Sequence, residues 1–450
     1  MTPDARIAAT IELLDEIIAS ERPADAVVAA YFRRRRYIGA KDRGDVAERI
    51  YATLRHHARL GWWLARTGHA DSARARVIAE LVLAERMSAN DVAARFSGRQ
   101  YAPAPLTGAE DRLAAALATH TPDHPDMAVA VRGECPDWAA EPLQARFGDR
   151  VETELAGLLR AAPLDLRVNE LKGTSPADVA ARLADVGVEA APTPLSPVGL
   201  RVRGRPPLAG QALFRGGTVE VQDEGSQLVA LLADVRPGHQ VVDFCAGAGG
   251  KALAMAARMG NKGRVVACDV SERRLIRARQ RLRRAGADNI EPKLLTSERD
   301  RWVNRQKCKF DRVLVDAPCS GTGAWRRHPD ARWRPVDLVA LTALQDRILA
   351  SAARLVKPGG RLIYATCSLL PAENDARVAA FLDTEDDFTV VPVTAVWGDA
   401  VGGECPSPGP YLHLTPARHG TDGFFAAVLE RRTSESAEPA GGLSEIRRSE

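Results

Sequence analysis

The chain has 450 residues, the length of about three domains of ~150 residues each. Its 62 Lys and Arg residues against 58 Asp and Glu residues leave a formal charge of only +4, which excludes a polybasic tail protein and an acidic, solvating polymer. Hydrophobic residues make up 45% and charged residues 27%, an ordinary globular composition. The seven cysteines, an odd number spread over a long chain, do not form a disulfide framework.

The sequence carries no sign of a membrane or secretory segment. No stretch approaches the ~18 consecutive apolar residues that a membrane helix needs. The N-terminal segment has acidic residues within its apolar stretch, unlike a secretory signal. We therefore expect a soluble, reduced, cytoplasmic protein.

The hydrophobic pattern predicts four segments, which are residues 1–130, 131–235, 236–431 and 432–450. Apolar residues at three-to-four spacing predict a helical bundle in the first. The second combines linker helices with a compact α+β domain, in which LDLRVNEL and GLRVRG predict strands and SPADVAARLADVG predicts a helix with Ser175 as N-cap. In the third, short apolar strands alternate with helices, the pattern of a parallel α/β sheet covered on both faces. The polar fourth segment predicts a disordered tail.

A glycine-rich turn follows the first predicted strand of the third segment. Its residues are Cys245, Ala246, Gly247, Ala248, Gly249, Gly250 and Lys251. The backbone N–H groups of such a turn can approach a ligand at a helix N-terminus. Asp269 ends the next predicted strand, where a carboxylate would hold a ribose hydroxyl. On these residues alone, the turn takes a dinucleotide, another adenosine-bearing cofactor such as S-adenosylmethionine, or no ligand.

Two cysteines follow later strands of the same segment. Asp316 and Cys319, in VLVDAPCSGTG, come just past the C-terminal end of a strand, on the side where open parallel sheets bind ligands. Cys367, in LIYATCSLLPAEN, ends another strand ahead of a helix, where backbone dipoles and nearby cations can stabilise a thiolate. We interpret the two cysteines as functional rather than structural residues.

These side chains suit methyl transfer to carbon 5 of a pyrimidine. A thiolate that adds at carbon 6 makes carbon 5 nucleophilic. A base must later remove the carbon 5 proton so that the thiolate can leave. A carboxyl group near ring nitrogen 3 and the exocyclic amine would stabilise the adduct. Cys367, Cys319 and Asp316 supply such a set, but their spacing does not say which cysteine is the nucleophile.

The motifs VDFCAGAGGK, DAPCSGTG and ATCS, in that order, resemble the Sun/Fmu (RsmB-type) family of RNA cytosine-5 methyltransferases, as do APLDLRVN, GTVEVQDEGSQLV and TDGFFAAVL. The resemblance implies a Rossmann-like class I methyltransferase domain, preceded by an all-α NusB-like domain and a small α+β RRM-like domain. It implies S-adenosylmethionine on the turn at 245–251, Asp269 on the ribose and Asp316 at the boundary between cofactor and base. It also implies that Cys367 is the nucleophile and that Cys319 assists product release.

The sequence departs from the family pattern at two points. Ala248 stands where the family turn usually has proline, which loosens the loop. After the third strand, where the family tends to place an acidic residue near the adenine, the expected position falls at or near Thr296 or Ser297. We therefore leave these two residues out of the predicted site.

Local charge indicates contact with RNA. The helix predicted over 271–287 has seven arginines and one acid, with an apolar face toward the sheet and a basic face that either is solvated or binds RNA. The segment 324–334, AWRRHPDARWR, mixes arginines with tryptophans, and we expect it to contact phosphates and unstacked bases. Residues 33–36, four arginines, form either a phosphate-binding patch or a solvated helix end. His56 and His57 lack neighbours at ligand spacing, so we expect no metal site.

Three functions account for these features to different degrees. We expect an S-adenosylmethionine-dependent RNA cytosine-5 methyltransferase, acting as a monomer on 16S ribosomal RNA, with transfer RNA as the alternative substrate. A non-catalytic RNA-binding ribosome-assembly factor would not require the two cysteines. A nicotinamide-dependent oxidoreductase would explain the glycine turn and Asp269 but leaves both cysteines unexplained.

Overall fold

The computed structural model describes residues 1–433. All but the first two residues of the predicted disordered tail, 432–450, therefore lie outside the described residues. The chain divides into two compact units, one made of residues 1–161 and 324–336 and the other of residues 162–323 and the chain from 337 onward.

The first unit is built from helices, as the apolar spacing predicted. They are α1 (Pro3–Ile18), α2 (Ala24–Arg34), α3 (Ala40–Arg55), α4 (His57–Arg66), α5 (Ala73–Leu83), α6 (Ala89–Arg95), α7 (Gly108–Leu117), α8 (Val129–Arg132), α9 (Asp137–Phe147) and α10 (Val151–Leu159). Hydroxyl side chains begin several of them, because each accepts a hydrogen bond from an otherwise unpaired backbone N–H. Thr107 does so at α7 and forms a capping box with Glu110.

The core of the first unit centres on α5, which is buried along most of its length. This helix packs against α1, α4 and α7. Ile7 and Leu14 of α1 and Leu113 of α7 lie in the same buried cluster as Val77 and Leu81 of α5. The helices are short, so burial of these apolar faces rather than intrinsic helix propensity stabilises them.

The segment 324–336 belongs to this helical unit. The guanidinium of Arg332 is fully buried and donates to the carbonyl oxygens of Glu134 (2.9 Å) and Leu158 (3.3 Å). It also lies 5.2 Å from the ring centroid of the buried Trp325. The guanidinium of Arg332 is therefore held inside the helical unit by two carbonyl oxygens and the Trp325 ring.

The prediction that residues 324–334 contact RNA is wrong for Trp325 and Arg332, because both are buried. The neighbouring Trp333 stacks on His57 with ring centroids 4.5 Å apart. Arg334 donates to the backbone carbonyl of Arg22 at 2.6 Å. Cations beside aromatic rings are a pattern that internal packing and nucleic-acid contact share, so the sequence alone does not separate the two.

The second unit begins with a small antiparallel sheet. Its elements are β1 (Leu164–Val168), α11 (Pro176–Ala184), β2 (Ala190–Pro192), β3 (Gly199–Val202), α12 (Ala212–Arg215) and β4 (Val219–Val221). The strand order is β2-β3-β1-β4, which with this element order is the ferredoxin-like arrangement. Ser175 is the N-cap of α11, as predicted, and accepts a hydrogen bond from the Asp178 N–H.

A larger, mostly parallel sheet follows. Its elements are α13 (Glu224–Leu231), β5 (Gln240–Asp243), α14 (Gly250–Arg258), β6 (Arg264–Asp269), α15 (Glu272–Ala285), β7 (Ile290–Leu294), α16 (Arg301–Arg305), β8 (Phe310–Asp316), α17 (Leu338–Ala353), β9 (Val356–Thr366), α18 (Asp375–Leu382), β10 (Phe388–Val391), α19 (Val393–Ala400), β11 (Leu412–Leu414), α20 (Pro416–His419) and β12 (Phe424–Arg431). The strand order is β10-β12-β9-β8-β5-β6-β7, with β11 paired to β12. This confirms the predicted Rossmann-like class.

The order of this sheet reverses between β5 and β8, which are parallel neighbours. In open α/β sheets, ligands bind at such a reversal, outside the carboxyl ends of the strands. Helix α15 covers one edge with its apolar face, and Leu275, Ala278, Leu282 and Ala285 are all buried as predicted. A ligand-binding site is therefore expected at the carboxyl ends of β5, β6, β8 and β9.

Among residues 1–433, no helix is both long and apolar enough to cross a membrane. The same part of the chain holds no group of three or more His, Cys, Asp and Glu side chains placed to bind a metal ion.

Candidate active site

The predicted site residues converge on one edge of the large sheet. Strand β6 ends at Asp269, β8 ends at Asp316, and β9 ends one residue before Cys367. Because β5, β8 and β9 are consecutive parallel neighbours, the loops that follow them lie side by side. The glycine turn, the loop with Cys319 and the loop with Cys367 are those three loops.

The two predicted cysteines are in direct contact. The Sγ atom of Cys319 lies 3.4 Å from the Sγ atom of Cys367. Backbone hydrogen bonds hold the loops together on both sides of the pair. The Ala317 N–H donates to the Ala365 carbonyl and the Gly323 N–H to the Cys367 carbonyl, each at 2.9 Å. The loops are thus continued as a ladder beyond the ends of the strands.

The contact and its surroundings keep Cys319 protonated. The hydrogen bond with Cys367 and, second, burial raise the pKa of the Cys319 thiol well above its ordinary value. The negative charge of Glu373 acts in the same direction on this pKa. Cys319 is therefore a thiol that can donate a hydrogen bond to the Cys367 sulfur.

Lys251, which we predicted only as part of the cofactor turn, reaches across to the cysteine loops. Its ammonium lies 2.5 Å from the Asp316 carboxylate. Burial would lower the pKa of Lys251, but the negative charges of Asp316, Asp243 and Cys367 and the hydrogen bond to Asp316 together outweigh burial and raise that pKa. Lys251 is therefore a buried cation held on a carboxylate between the glycine turn and Cys367. The position of a lysine in the first turn of the helix after β5, next to β8, could have indicated this contact.

The glycine turn has the backbone geometry that its glycines allow. Gly247 has φ of 55° and Gly249 has φ of 78°, both in the left-handed region that residues with a Cβ rarely adopt. A Cβ at Gly249 would also come within 3.2 Å of Ala278 Cβ in α15. The Gly247 N–H donates to Asp269 at 2.9 Å, so the carboxylate predicted for ribose binding also fixes the turn.

The other residues of the turn have structural partners. The Ala246 N–H donates to the Cys268 carbonyl at 2.8 Å, which joins the turn to β6. The carbonyl of Ala248, the position where proline was expected, accepts a hydrogen bond from Arg281 at 3.2 Å. Burial raises the pKa of the Cys245 thiol, so this cysteine is a neutral side chain and not a nucleophile. Gly250 begins α14.

Sequence reasoning missed Asp243, the last residue of β5. This side chain is 1% exposed, and within the described residues neither of its carboxylate oxygens has a hydrogen-bond partner. Burial raises its pKa to about 7. An unpartnered carboxylate directly ahead of a glycine turn fits a ligand that brings a positive charge or hydrogen-bond donors to that place. A lone Asp at the end of a buried strand was the available signal.

The loop after β7 contains an acidic residue that the sequence analysis did not consider. The position where the family tends to place an acid falls at or near Thr296 or Ser297, neither of which is acidic. The carboxylate of Asp300 lies over this position and accepts hydrogen bonds from the N–H and the hydroxyl of Thr296, each at 2.9 Å. Hydrogen bonds from the backbone N–H groups of Thr296 and Trp302 lower the pKa of Asp300 to about 2. The loop folds an acid back over the expected position, four residues further along the chain.

The chain resembles known proteins over most of its length. Residues 230–430 match the family described as 16S rRNA methyltransferase RsmB/F, and residues 135–209 match the ferredoxin-like domain of RsmF/B-like methyltransferases. The ribosomal RNA small subunit methyltransferase B of Xanthomonas campestris pv. campestris is 37% identical over 307 residues, which are 67% of this chain and 68% of that protein. The chain belongs to the RsmB/F family of 16S rRNA methyltransferases.

Solved structures agree with this family. The crystal structure of PH0851 is 25% identical, covers 96% of this chain and 99% of its own, and has a TM-score of 0.76. A methyltransferase homolog protein from Pyrococcus horikoshii is 28% identical, covers 68% of this chain and 98% of its own, and has a TM-score of 0.57. The resemblance to the Sun/Fmu (RsmB-type) family is thereby confirmed, and the RsmB/F fold accounts for the order of elements in the second unit.

Proposed function

We propose that this RsmB/F-family protein transfers a methyl group from S-adenosylmethionine to carbon 5 of a cytosine in 16S ribosomal RNA, through a covalent adduct between Cys367 and carbon 6. The observation that carries the proposal is the 3.4 Å contact between the Sγ atoms of Cys319 and Cys367, beside a lysine–carboxylate pair. A reaction in which two cysteines act on the same pyrimidine ring explains this contact, whereas a nicotinamide-dependent reaction needs neither cysteine.

Cys367 is the nucleophile in this proposal. Its sulfur adds to carbon 6, the ring electrons move onto carbon 5, and carbon 5 becomes able to take a methyl group. Cys319 is the neighbouring thiol, whose raised pKa keeps it protonated while Cys367 is free. Cys367 attacks as a thiolate, and until the base binds its sulfur accepts a hydrogen bond from the Cys319 thiol.

Cys319 acts in the second half of the reaction. The largest cause of its raised pKa is the hydrogen bond with Cys367, and that bond is lost once the Cys367 sulfur is bonded to carbon. Loss of that bond lowers the pKa of the Cys319 thiol, which then releases its proton to solvent. The Cys319 thiolate takes the carbon 5 proton, the electrons of that C–H bond restore the ring double bond, and Cys367 leaves as a thiolate.

Asp316 and Lys251 orient and stabilise the base. The carboxylate of Asp316 can accept a hydrogen bond from the exocyclic amine, while the Lys251 ammonium at 2.5 Å holds that carboxylate in place. The ammonium also offsets negative charge as the ring becomes electron-rich. We expect the Asp316–Lys251 pair to affect the reaction of the cytosine ring and not the affinity for RNA.

The residues of the glycine turn fit S-adenosylmethionine, which supplies an electrophilic methyl group when bound. The unpartnered Asp243 carboxylate suits a ligand with an ammonium and a sulfonium group. Asp269 presents a carboxylate at the end of β6 for the ribose hydroxyls. Gly247, Ala248 and Gly249 would allow the cofactor to approach the backbone closely.

RNA as substrate is supported by the outer face of α15. Arg273, Arg277, Arg279 and Arg283 are exposed there, whereas Arg281 is held by Glu220 in an ion pair at 3.0 Å. A row of guanidinium groups on a helix suits phosphates. The target cytosine must leave its stack to reach Cys367, so an unpaired or loop nucleotide is expected.

The proposal is tested by bisulfite sequencing of RNA from cells with the gene, without it, and with the Cys367→Ala form. Loss of one methylated cytosine of 16S ribosomal RNA in the second and third samples is the expected result. Loss at a transfer RNA cytosine would replace the substrate and keep the reaction. Unchanged methylation throughout would contradict the proposal and favour an RNA-binding assembly factor.

A further inference from the structure

Beside the two cysteines lies a buried carboxylate that the proposed chemistry does not use. Glu373 is fully buried in a short 3-10 turn, Pro371–Glu373, just after β9. One of its oxygens accepts hydrogen bonds from the Ser320 N–H at 2.8 Å and from the Gln345 side-chain amide at 3.0 Å. The other oxygen accepts from the hydroxyls of Ser320 and Ser368. Four donors therefore compensate the cost of burying this charge.

Two of the residues that donate to Glu373 lie next to the two cysteines. Ser320 is the residue after Cys319, and Ser368 is the residue after Cys367. The same carboxylate therefore binds both cysteine loops, each through the residue adjacent to its cysteine. The hydroxyls of the two serines are also 3.3 Å from each other.

A third element is joined to the same carboxylate. Gln345 of α17 donates to Glu373 and, at 2.9 Å, to the carbonyl of Pro318, the residue before Cys319. The loop that carries Cys319 is thus held from both sides of the cysteine, by Gln345 at Pro318 and by Glu373 at Ser320. The hydroxyl of Tyr364, in β9, donates to the Glu373 carbonyl at 2.7 Å and fixes the turn itself.

We propose that Glu373 is a positioning residue, which holds the Cys319 and Cys367 loops at a fixed separation through Ser320 and Ser368. The catalytic reason for holding the two loops rests on the proposed function. The separation of the two sulfur atoms itself can be measured without any reaction. Hydrogen bonds to a charged acceptor are stronger than those to a neutral one, so an ionised carboxylate suits this task better than an amide.

The test compares two substitutions at this position with a matched control. Glu373→Ala removes all four acceptor contacts, whereas Glu373→Gln keeps the shape and one oxygen but turns an acceptor into a donor. Glu134→Gln is the control, since Glu134 is also fully buried and accepts hydrogen bonds from two backbone amides, those of Ala58 (2.7 Å) and Arg59 (3.2 Å), in the helical unit. Circular dichroism and thermal melting establish that each protein is folded.

The first readout is cross-linking of Cys319 to Cys367 by dibromobimane, a reagent that becomes fluorescent on bridging two nearby thiols, with the linked peptides identified by mass spectrometry. We expect Glu373→Ala to slow this cross-linking about tenfold, because two loops lose a shared buried acceptor. Glu373→Gln should lie between that protein and the wild type. Glu134→Gln should cross-link at the wild-type rate.

The second readout separates positioning from binding. With 16S ribosomal RNA and S-adenosylmethionine, we expect Glu373→Ala to lower kcat about 100-fold, the effect of misplacing a reacting group by about 1 Å. Both KM values should stay within about threefold, because Glu373 touches neither substrate. An increase in KM at unchanged kcat would contradict a positioning role.

Wild-type cross-linking by folded Glu373→Ala would overturn the inference. If that protein does not fold, Ser320→Ala and Ser368→Ala take its place, and unchanged cross-linking in both would overturn it equally. If the wild type proves to have no methyltransferase activity but its cross-linking still depends on Glu373, the proposed function fails and the positioning role stands. The two failures are therefore distinguishable.

Discussion

The sulfur atoms of Cys319 and Cys367 lie 3.4 Å apart, at the ends of two neighbouring parallel strands. The pKa of the Cys319 thiol is raised by its hydrogen bond with Cys367 and by burial. Under the proposed function the two cysteines have different roles, so separate substitutions should give different products.

Cys319→Ala should accumulate a covalent complex of protein and methylated RNA, because the adduct forms on Cys367 but no thiol remains to assist its release. The complex is measured on denaturing gels after incubation with 16S ribosomal RNA and S-adenosylmethionine. Cys367→Ala should form no complex and no product. The double variant is the control, and a complex in its lane would show that another residue is the nucleophile.

Lys251→Met should lower methyl transfer by about 100-fold, since Asp316 loses the cation that stabilises it. It should also cost about 1–3 kcal/mol of unfolding free energy, because one charge of a largely buried pair is left without its partner. The Lys251→Met/Asp316→Asn double variant should recover much of that stability without recovering activity. Lys262→Met, at an exposed lysine of the same unit, is the control. Additive losses of stability in the double variant would contradict direct coupling.

Asp243→Asn should stabilise the protein without ligand, and the gain should depend on pH. Burial raises the pKa of Asp243 to about 7, so this residue favours the folded state at low pH and loses that contribution as pH rises through about 7. The stability of the variant relative to wild type should therefore grow between pH 4 and pH 8, to on the order of 2 kcal/mol. Urea unfolding at several pH values measures the difference. The variant should bind S-adenosylmethionine more weakly, and a constant difference across pH would contradict an unpartnered carboxylate.

His57 should make the helical unit sensitive to acid. Burial lowers the pKa of His57 to about 4, so the neutral ring contributes stability above its unfolded pKa near 6.5, and this is lost as pH falls toward 4. His57→Phe keeps a ring against Trp333 and should reduce the acid-induced increase of amide exchange in α4. Hydrogen exchange measured at pH 7, 5.5 and 4.5 tests this. Equal acid sensitivity of wild type and variant would place the titrating group elsewhere.

Reversing two charges on α15 should weaken RNA binding in a salt-dependent way. Arg273 and Arg277 are exposed and, in the part of the chain that the structure describes, form no ion pair. Arg273→Glu/Arg277→Glu should lower affinity for a ribosomal RNA fragment and reduce the slope of log K against log salt by about 1–2. Arg99→Glu, at an exposed arginine of the helical unit, is the control. Equal slopes would mean that this face is only solvated.

The fold was largely predictable because its signals are local. Alternation of short apolar strands with amphipathic helices predicted the parallel sheet, and the apolar face of α15 is buried where its spacing placed it. Cys319 and Cys367 could be placed at one edge because each follows a parallel strand. The order in which we propose that they act could not be predicted from spacing, because spacing does not encode the hydrogen bond between them or the burial of Cys319.

The contacts that sequence reasoning missed are long-range. Lys251 and Asp316 are 65 residues apart in sequence, so no local signal predicts the pair, and only the pairing of β5 with β8 could have indicated it. The prediction of RNA contact for residues 324–334 was wrong at Trp325 and Arg332, because arginine beside tryptophan suits both a buried cluster and a nucleic-acid surface. The carbonyl groups of Glu134 and Leu158, which are distant in sequence, bind Arg332 inside the protein. Glu373 was not predicted as a site residue, since its contacts with two serines come from different loops.

The helical unit is assembled from two separate stretches of the gene, residues 1–161 and 324–336. A fragment that ends at residue 161 would encode the bundle without the buried Trp325 and Arg332. A fragment that starts at residue 162 would express those side chains without Trp138 and Glu134, against which they pack. Recombination between residues 161 and 162 would therefore separate Trp325 and Arg332 from the residues against which they pack. We therefore expect the helical unit and the second unit to be inherited together in evolution. A chimera between two relatives should exchange residues 324–336 together with residues 1–161.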